Sequence, residues 1–291
     1  MTNIAVLITC FNRRAKTIAC LEALFANRLL NGLQLVVFLV DDGSIDGTSV
    51  AVLSKFPAVR IIQGNGNLYW GGGMRLAFAE ALKQDFDYYL WLNDDTILYS
   101  DAIVRLFQAQ KETEMLSRNG VIIVGTTRDS MTGKPTYGGQ RRSSSGHNLR
   151  FDLVTPSDRP IPCDTINGNF VLISRVVAFN IGNLDQVFVH SMGDIDYGLR
   201  AVKAGYQLWV MPGFAGTCSW NASRDTFIDA TLPLHQRLKR MLGPKGLPLA
   251  SWKVLTKRHS GSFWFVYWLW PYSRVIIESI ITKMSLSRLR S

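Results

Sequence analysis

Cysteine and histidine are scarce in this 291-residue chain, at four residues each. Cys10, Cys20, Cys163 and Cys218 form no C-x-x-C pair, and a chain this long folds without disulfides. A reduced, cytosolic setting is therefore expected. His147, His190, His235 and His259 show no metal-ligand spacing, so each reads as a packed or solvated side chain. Cys10 reads as a small buried residue with no nucleophile signature around it. No basic stretch precedes the apolar residues Ile4 to Ile8, so no secretory leader is expected. There is no internal repeat, no G-x-G-x-x-G and no G-x-x-x-x-G-K. The aromatic run from Ser262 to Pro271 is shorter than the about 20 residues a bilayer-spanning helix needs. Charged residues make up 19% and hydrophobic residues 47%, which excludes a disordered chain.

The charge that is present is unevenly placed. The net charge is +10; residues 231–291 carry eleven Lys and Arg against one acid, Glu278. Residues 1–230 balance, with 21 of each sign. The chain therefore divides into residues 1–230, an α/β unit, and residues 231–291, a basic and aromatic extension of helical and irregular character. Basic residues Lys253, Lys257, Arg258, Arg288 and Arg290 flank a segment rich in Trp, Tyr and Ile. Aromatic rings favour the headgroup level and Lys and Arg favour anionic lipid. Peripheral contact with the inner face of the cell membrane is expected; packing on the α/β unit or on a second subunit is the alternative. Nucleic acid is not expected, because the aromatics cluster with aliphatics and do not interleave with a basic groove.

Within residues 1–230, apolar runs alternate with helical patterns. Strands are expected at Ile4–Thr9, Leu35–Val40, Val59–Gln63, Tyr88–Leu92, Val121–Gly125, Gly168–Ser174 and Gln207–Met211. Helices are expected with Ile18, Leu21 and Phe25 on one face, around Thr48–Lys55, and with Met74, Ala77, Phe78, Ala81 and Leu82 as a stripe. Further helices start behind a Ser100 cap with Ile103, Leu106 and Phe107 buried, and at Gly193–Gly205 with Ile195, Leu199 and Val202 buried. Residues 127–160 read as an inserted polar loop or hairpin, with Arg141 to Gly146 its most irregular part. This order implies a mostly parallel, right-handed α/β sheet. Ligands bind beyond the carboxyl ends of such strands. The segments Cys10–Arg13, Asp41–Ser44 and Asn93–Asp95 all follow strands and should meet on one rim.

Each of these segments has a chemical and a plain reading. Asp94 and Asp95 offer hard oxygens that suit Mg²⁺ or Mn²⁺ together with a diphosphate, or they are turn and cap residues. Asp41 and Asp42 can accept hydrogen bonds from a base or ribose, or they hold a turn. Asp194 has no partner within its helix and is the candidate general base, whereas Asp196 has Arg200 four residues on, a natural exposed ion pair. Gly71, Gly72 and Gly73 can present N–H groups to a phosphate, with Arg75 adding charge and Trp70 a stacking surface; a long surface turn is the alternative. His190, four residues before Asp194, can approach an acceptor.

With these residues in hand, the chain resembles an inverting family 2 glycosyltransferase of the GT-A fold, over roughly residues 3–220. The resemblance rests on Thr9-Cys-Phe-Asn-Arg13, Val40-Asp-Asp-Gly-Ser-Ile-Asp-Gly-Thr48, Trp91-Leu-Asn-Asp-Asp95, Ile181-Gly-Asn-Leu-Asp185 and Gly193-Asp-Ile-Asp-Tyr-Gly-Leu-Arg200. It implies a nucleotide-diphosphate sugar site made by Thr9, Phe11, Asn12, Arg13, Asp41, Asp42, Trp70, Gly71, Gly72, Arg75 and Asp94. It further implies a metal ligand at Asp95, a base at Asp194, and an acceptor side near His190 and Trp220. The resemblance also implies sugar transfer, in bacterial relatives rhamnosyl or hexosyl, to a glycan or lipid-linked acceptor in polysaccharide synthesis. The sequence departs from the family pattern where Gly193 replaces an acid, where Met74-Arg75 replaces Arg-Asn, and where Cys218-Ser-Trp-Asn221 replaces a late histidine motif. Nucleotidyl transfer on a similar frame, a non-catalytic membrane assembly role and a homo-oligomeric state stay open at this point.

Overall fold

A computed structural model describes residues 1–115, 120–144, 149–220 and 226–288, with side chains up to residue 281. His147 and Asn221 lie outside the described residues, as do the side chains of Arg288 and Arg290. The chain runs β1 (Thr2–Cys10), α1 (Arg14–Phe25), β2 (Leu33–Asp41), α2 (Thr48–Lys55), β3 (Arg60–Gln63), α3 (Tyr69–Leu82), β4 (Tyr88–Leu92), β5 (Ile97–Leu98) and α4 (Ala102–Glu114). It continues through β6 (Val121–Arg128), β7 (Gly139–Arg142), β8 (Phe151–Leu153), β9 (Ile161–Cys163), β10 (Thr165–Ile166), β11 (Phe170–Ser174) and α5 (Arg175–Ile181). The last elements are α6 (Gly193–Lys203), β12 (Gln207–Thr217), α7 (Leu234–Leu242), α8 (Leu249–His259) and α9 (Trp264–Arg288).

Among the described residues the main sheet has nine strands in the order β3-β2-β1-β4-β11-β6-β12-β5, with β9 also on β12. The β1, β2, β3 and β4 pairings and the β6–β12 pairing are parallel; β11 runs antiparallel between β4 and β6. The chain moves outward from β1 to β3 and then returns to place β4 on the other side of β1. That reversal opens a crevice at the carboxyl ends of β1 and β4. Residues 127–160 form more than a loop: β7 and β8 join β10 in a small antiparallel sheet, and Arg141 and Arg142 belong to β7.

The strands alternate between two cores, as a side-chain period of two requires. Ile4, Val6 and Ile8 face a core shared with α1, α2 and α4, while Ala5 and Leu7 face one shared with α3, α5 and α6. These strand residues are wholly buried, each Ile or Leu contributing about 1.5–3 kcal/mol relative to exposure.

Four helical expectations need correction. On α1 the buried face is Thr17, Cys20, Leu21 and Leu24, and Phe25 is exposed. Helix α3 begins at Tyr69, so Gly71–Gly73 lie in its first turn and not in a loop. Asp101, not Ser100, stands at the start of α4, and its carboxylate pairs with Arg105. On α6 Leu199 is buried as expected, but Asp196, Tyr197 and Ala201 share the buried face, while Ile195 is half-buried and Val202 is exposed. The error came from reading the apolar residues as the core face when an aromatic and a compensated carboxylate fill it.

Candidate active site

Two rim turns brace each other. The Asn12 amide donates to Ser44 Oγ, and the Ile45 amide returns a bond to Asn12 Oδ1, both at 2.8 Å. The Arg14 amide at the start of α1 donates to Asp46 at 2.9 Å. Asp41 is buried and holds the turn, accepting from the Ser44 amide at 2.9 Å and from the Ser49 hydroxyl. Asp42 spends both oxygens on backbone: Gly66 at 2.9 Å, Leu68 at 2.8 Å and Tyr69 at 2.9 Å. It thereby neutralises orphan N–H groups at the start of α3.

A cavity of about 580 Å³ opens beyond these strand ends. Thr9, Phe11, Arg13, Asp42, Trp70, Asp94, Asp95, His190 and Asp194 all line it. Asn12, Asp41, Gly71, Gly72, Arg75 and Trp220 do not. Asn12 and Asp41 act behind the rim. A Cβ on Gly71 would meet the Phe188 carbonyl at 2.2 Å, and the Gly72 amide bonds the Leu68 and Val189 carbonyls. The glycine run thus lets backbones approach and has no free amide at Gly72 for a phosphate. Arg75 offers its carbonyl to Asn183. Trp220 is exposed and stacks on Tyr137, a cavity residue, at 5.0 Å.

The acids differ in environment. Asp94 is buried, and desolvation pushes its carboxyl up to about 6, with Arg13 opposing and Asp95 adding. Arg13 Nη1 lies 3.0 Å from Asp94 Oδ1 and 2.9 Å from Asp95 Oδ2. The second oxygen of Asp94 is buried with no hydrogen-bond partner. The Cys218 thiol reaches Asp95 Oδ1 at 3.5 Å and is held neutral, pushed up to about 12 by burial and by the Asp95 charge.

Asp194 stands in the first turn of α6. It accepts from the amides of Gly168 at 3.0 Å and Ile195 at 2.9 Å. Burial raises its carboxyl above the ordinary value, and these bonds only partly offset that. Burial, then Lys245 and Arg13, push the His190 imidazole down to about 4, so it is neutral at neutral pH. Asp196, expected as an exposed ion pair, is wholly buried and is bonded by Arg200, Arg258 and His259.

Tyr69 and Met192, both on the cavity wall, adopt left-handed φ of 53° and 72°. Such strain in non-glycine residues concentrates at functional sites.

Sequence reasoning missed several lining residues. Asn93, expected only as part of the rim, fixes Trp70 through a 2.7 Å bond, and the unexpected Asn167, Gly168 and Asn169 close one wall. A polar Asn-Gly-Asn run just before the apolar strand Phe170–Ser174 was the available signal. Lys245 reaches the cavity from the extension, which no local pattern announces.

A crevice at the switch point of a mostly parallel sheet, walled by acids and an arginine, defines the nucleotide-binding α/β class. The family described as Glycosyl transferase family 2 matches residues 5–173, and the chain belongs to it. The N-acetylglucosaminyl-diphospho-decaprenol L-rhamnosyltransferase of Mycobacterium tuberculosis is 26% identical over 191 residues, 58% of this chain and 62% of that protein. Galactofuranosyltransferase GlfT2 of the same species is 28% identical over 263 residues, 81% of this chain and 40% of that protein. The chain thus spans less than two thirds of these relatives. Mannosyltransferase PcManGT from Pyrobaculum calidifontis, solved with GDP-Man and Mn²⁺, superposes with a TM-score of 0.54 at 12% identity. That match covers 87% of this chain and 64% of that one, and it shows the shared GT-A fold.

Proposed function

We propose that this protein transfers a sugar from a nucleoside-diphosphate donor to an acceptor hydroxyl, with inversion, in cell-envelope glycan synthesis. The observation that supports this most is the convergence of Arg13, Asp94, Asp95 and Asp194 on one cavity at the carboxyl ends of parallel strands. The relatives' sugar chemistry points the same way.

The residues present fit a divalent cation. The unpartnered buried oxygen of Asp94 and the partly buried carboxylate of Asp95 on the cavity wall supply hard donors. Among the described residues no three His, Cys, Asp or Glu side chains form a cage. That suits an ion held by one or two carboxylates and by substrate phosphate. Such an ion, when bound, neutralises charge that develops on a departing diphosphate. Asp95 and Asp94 would hold it.

Asp194 acts as the base. Its carboxylate takes the proton of the acceptor hydroxyl while that oxygen attacks the anomeric carbon. The bond from that carbon to the diphosphate oxygen breaks, and the nucleoside diphosphate leaves with the electron pair. Single displacement inverts the centre. The raised proton affinity of Asp194 favours this role, because a base must hold the proton it removes. Trp70, pinned by Asn93 and pressed against Gly168, walls the donor side.

The extension lies against an anionic membrane surface. Among the described residues no helix is long and apolar enough to cross a membrane. The solvent face of α9 nevertheless carries Phe265, Val266, Leu269, Trp270, Ile277 and Ile281 at helical spacing. A lipid-linked acceptor suits that placement.

Product analysis tests the reading. Incubation with a panel of nucleotide sugars and Mn²⁺ should release nucleoside diphosphate. Release of pyrophosphate from a nucleoside triphosphate would replace it with nucleotidyl transfer.

A further inference from the structure

Two carboxylates on adjacent residues, both facing one cavity, repel each other, so a cation that touches both stabilises the pair. This chain supplies one. A single nitrogen, Arg13 Nη1, stands between one oxygen of Asp94 and one of Asp95, at 3.0 and 2.9 Å. One nitrogen thus touches both acids at once. Lys16 adds a second charge 3.9 Å from the same Asp95 oxygen. The Arg13 side chain is 40% exposed, so solvent and ligands reach it.

We infer that Arg13 is a resident counter-cation of the acid pair, which competes with a divalent ion for the two carboxylates and moves to the donor diphosphate when both ligands are present. The inference rests on the donor-and-cation reading above.

The chemistry favours such an exchange. Guanidinium is always charged, so it neutralises the pair without depending on pH. It also binds phosphate bidentately, so the diphosphate offers it an alternative partner within the cavity it already lines. An arginine with two stations makes cation and donor help each other. The cation must displace Arg13 from the acids, and the diphosphate compensates Arg13 for the loss. Linkage requires the effect to be reciprocal, so each ligand should tighten the other by the same factor.

The test uses the full chain and the cation alone. Free Mn²⁺ is titrated by electron paramagnetic resonance with wild type, Arg13→Gln and Lys16→Gln, after circular dichroism has verified each fold. Arg13→Gln should bind Mn²⁺ about tenfold tighter than wild type, within the usual span of coupling between two ligands. Lys16→Gln, which removes charge without vacating the shared position, should change affinity less than about twofold. Equal or weaker Mn²⁺ binding by Arg13→Gln overturns the inference. Equal tightening by Lys16→Gln also overturns it, since bulk charge would then explain the effect. If neither protein binds Mn²⁺, the inference falls together with the cation reading.

A second arm adds UDP, GDP or dTDP. Wild type should bind Mn²⁺ more tightly with the nucleotide that stabilises it thermally, and Arg13→Gln should lose most of that gain. An undiminished gain overturns the transfer of Arg13 to the diphosphate. If no nucleotide stabilises wild type, the donor reading fails, while the Mn²⁺ arm still decides the competition.

Discussion

Arg258 on α8 reaches across the junction between the extension and the sheet to bond Asp196 of α6 at 3.1 Å. His259 bonds the same oxygen at 3.0 Å, and Arg200 holds the other at 2.8 Å. The extension is thereby locked to the helix whose first turn carries Asp194.

The stability of the fold should depend on this carboxylate. Removing a buried charge from its partners costs about 3–5 kcal/mol, so Asp196→Ala should lose most of that. Arg258 is 37% exposed and solvent screens its share, so Arg258→Gln should cost about 1 kcal/mol or less. Urea titrations of both variants measure the difference. Burial pushes the Asp196 carboxyl up, but His259 and the two arginines outweigh it and hold it below 3.8. The sign follows: its stabilisation is complete above the ordinary value and is lost as pH falls through the lower, folded value. Asp196→Ala should therefore flatten the acid limb of stability. A variant as stable as wild type at pH 7 would refute the lock.

Gly71 should not tolerate a side chain. Alanine is the better helix former by about 1 kcal/mol. The added Cβ, however, would lie 2.2 Å from the Phe188 carbonyl oxygen and 2.9 Å from that of Val189. Backbone cannot give way as a flexible side chain does, so overpacking of about 1–3 kcal/mol wins. Gly243→Ala meets atoms only at 3.4 and 3.5 Å and should be neutral to within about 0.5 kcal/mol. Thermal melts of the pair check this, and a wild-type melting temperature for Gly71→Ala would reject the packing account.

Where the sequence was legible follows from the range of the forces. The apolar runs of β1, β2 and β4 are buried on both faces, so local composition alone marked them as strands. The acids at their ends had to face the rim once those strands were parallel. Long-range contacts left no such trace. Asp196 looked like an exposed partner of Arg200 because the residues that bury it, Arg258 and His259, lie about sixty positions away. Gly71–Gly73 looked like a loop because nothing local shows that Thr9 and Phe188 press on them. Lys245 enters the cavity only because the chain around α8 folds back against residues 185–196.

The exposed face of α9 should carry membrane binding. Its described side chains run from Trp264 to Ile281, about 27 Å of helix. Its exposed apolar side chains contribute burial at the headgroup boundary, and nearby Lys253 and Lys257 contribute about 1 kcal/mol each toward anionic lipid. Trp270→Glu with Ile277→Glu should lower partition onto phosphatidylglycerol vesicles about tenfold or more and leave the melting temperature unchanged. Wild-type binding should also weaken as salt rises. Flotation assays measure both, and undiminished flotation of the double variant would assign the face to another role.

Asp194→Asn separates chemistry from folding. As a general base Asp194 should be worth about 10²–10⁴ in kcat, with donor binding intact because the acid pair and Arg13 are untouched. Activity of the wild type should fall as pH drops through a value above 3.8, since burial raises this carboxyl and only its ionised form takes a proton. Stability should move the other way. A carboxyl raised by folding penalises the folded state wherever it is ionised; that penalty is full above the folded value and gone below 3.8. Asparagine removes the penalty but keeps only one acceptor oxygen, so either the Gly168 or the Ile195 amide loses its partner, at about 1–3 kcal/mol. The two effects oppose each other, so the variant should stay folded and lie within about 3 kcal/mol of wild type at pH 7. It should lose ground to wild type in acid, where the wild-type penalty disappears. An inactive protein that is destabilised beyond that range would make Asp194 a structural residue, and activity near wild type would reject it as the base.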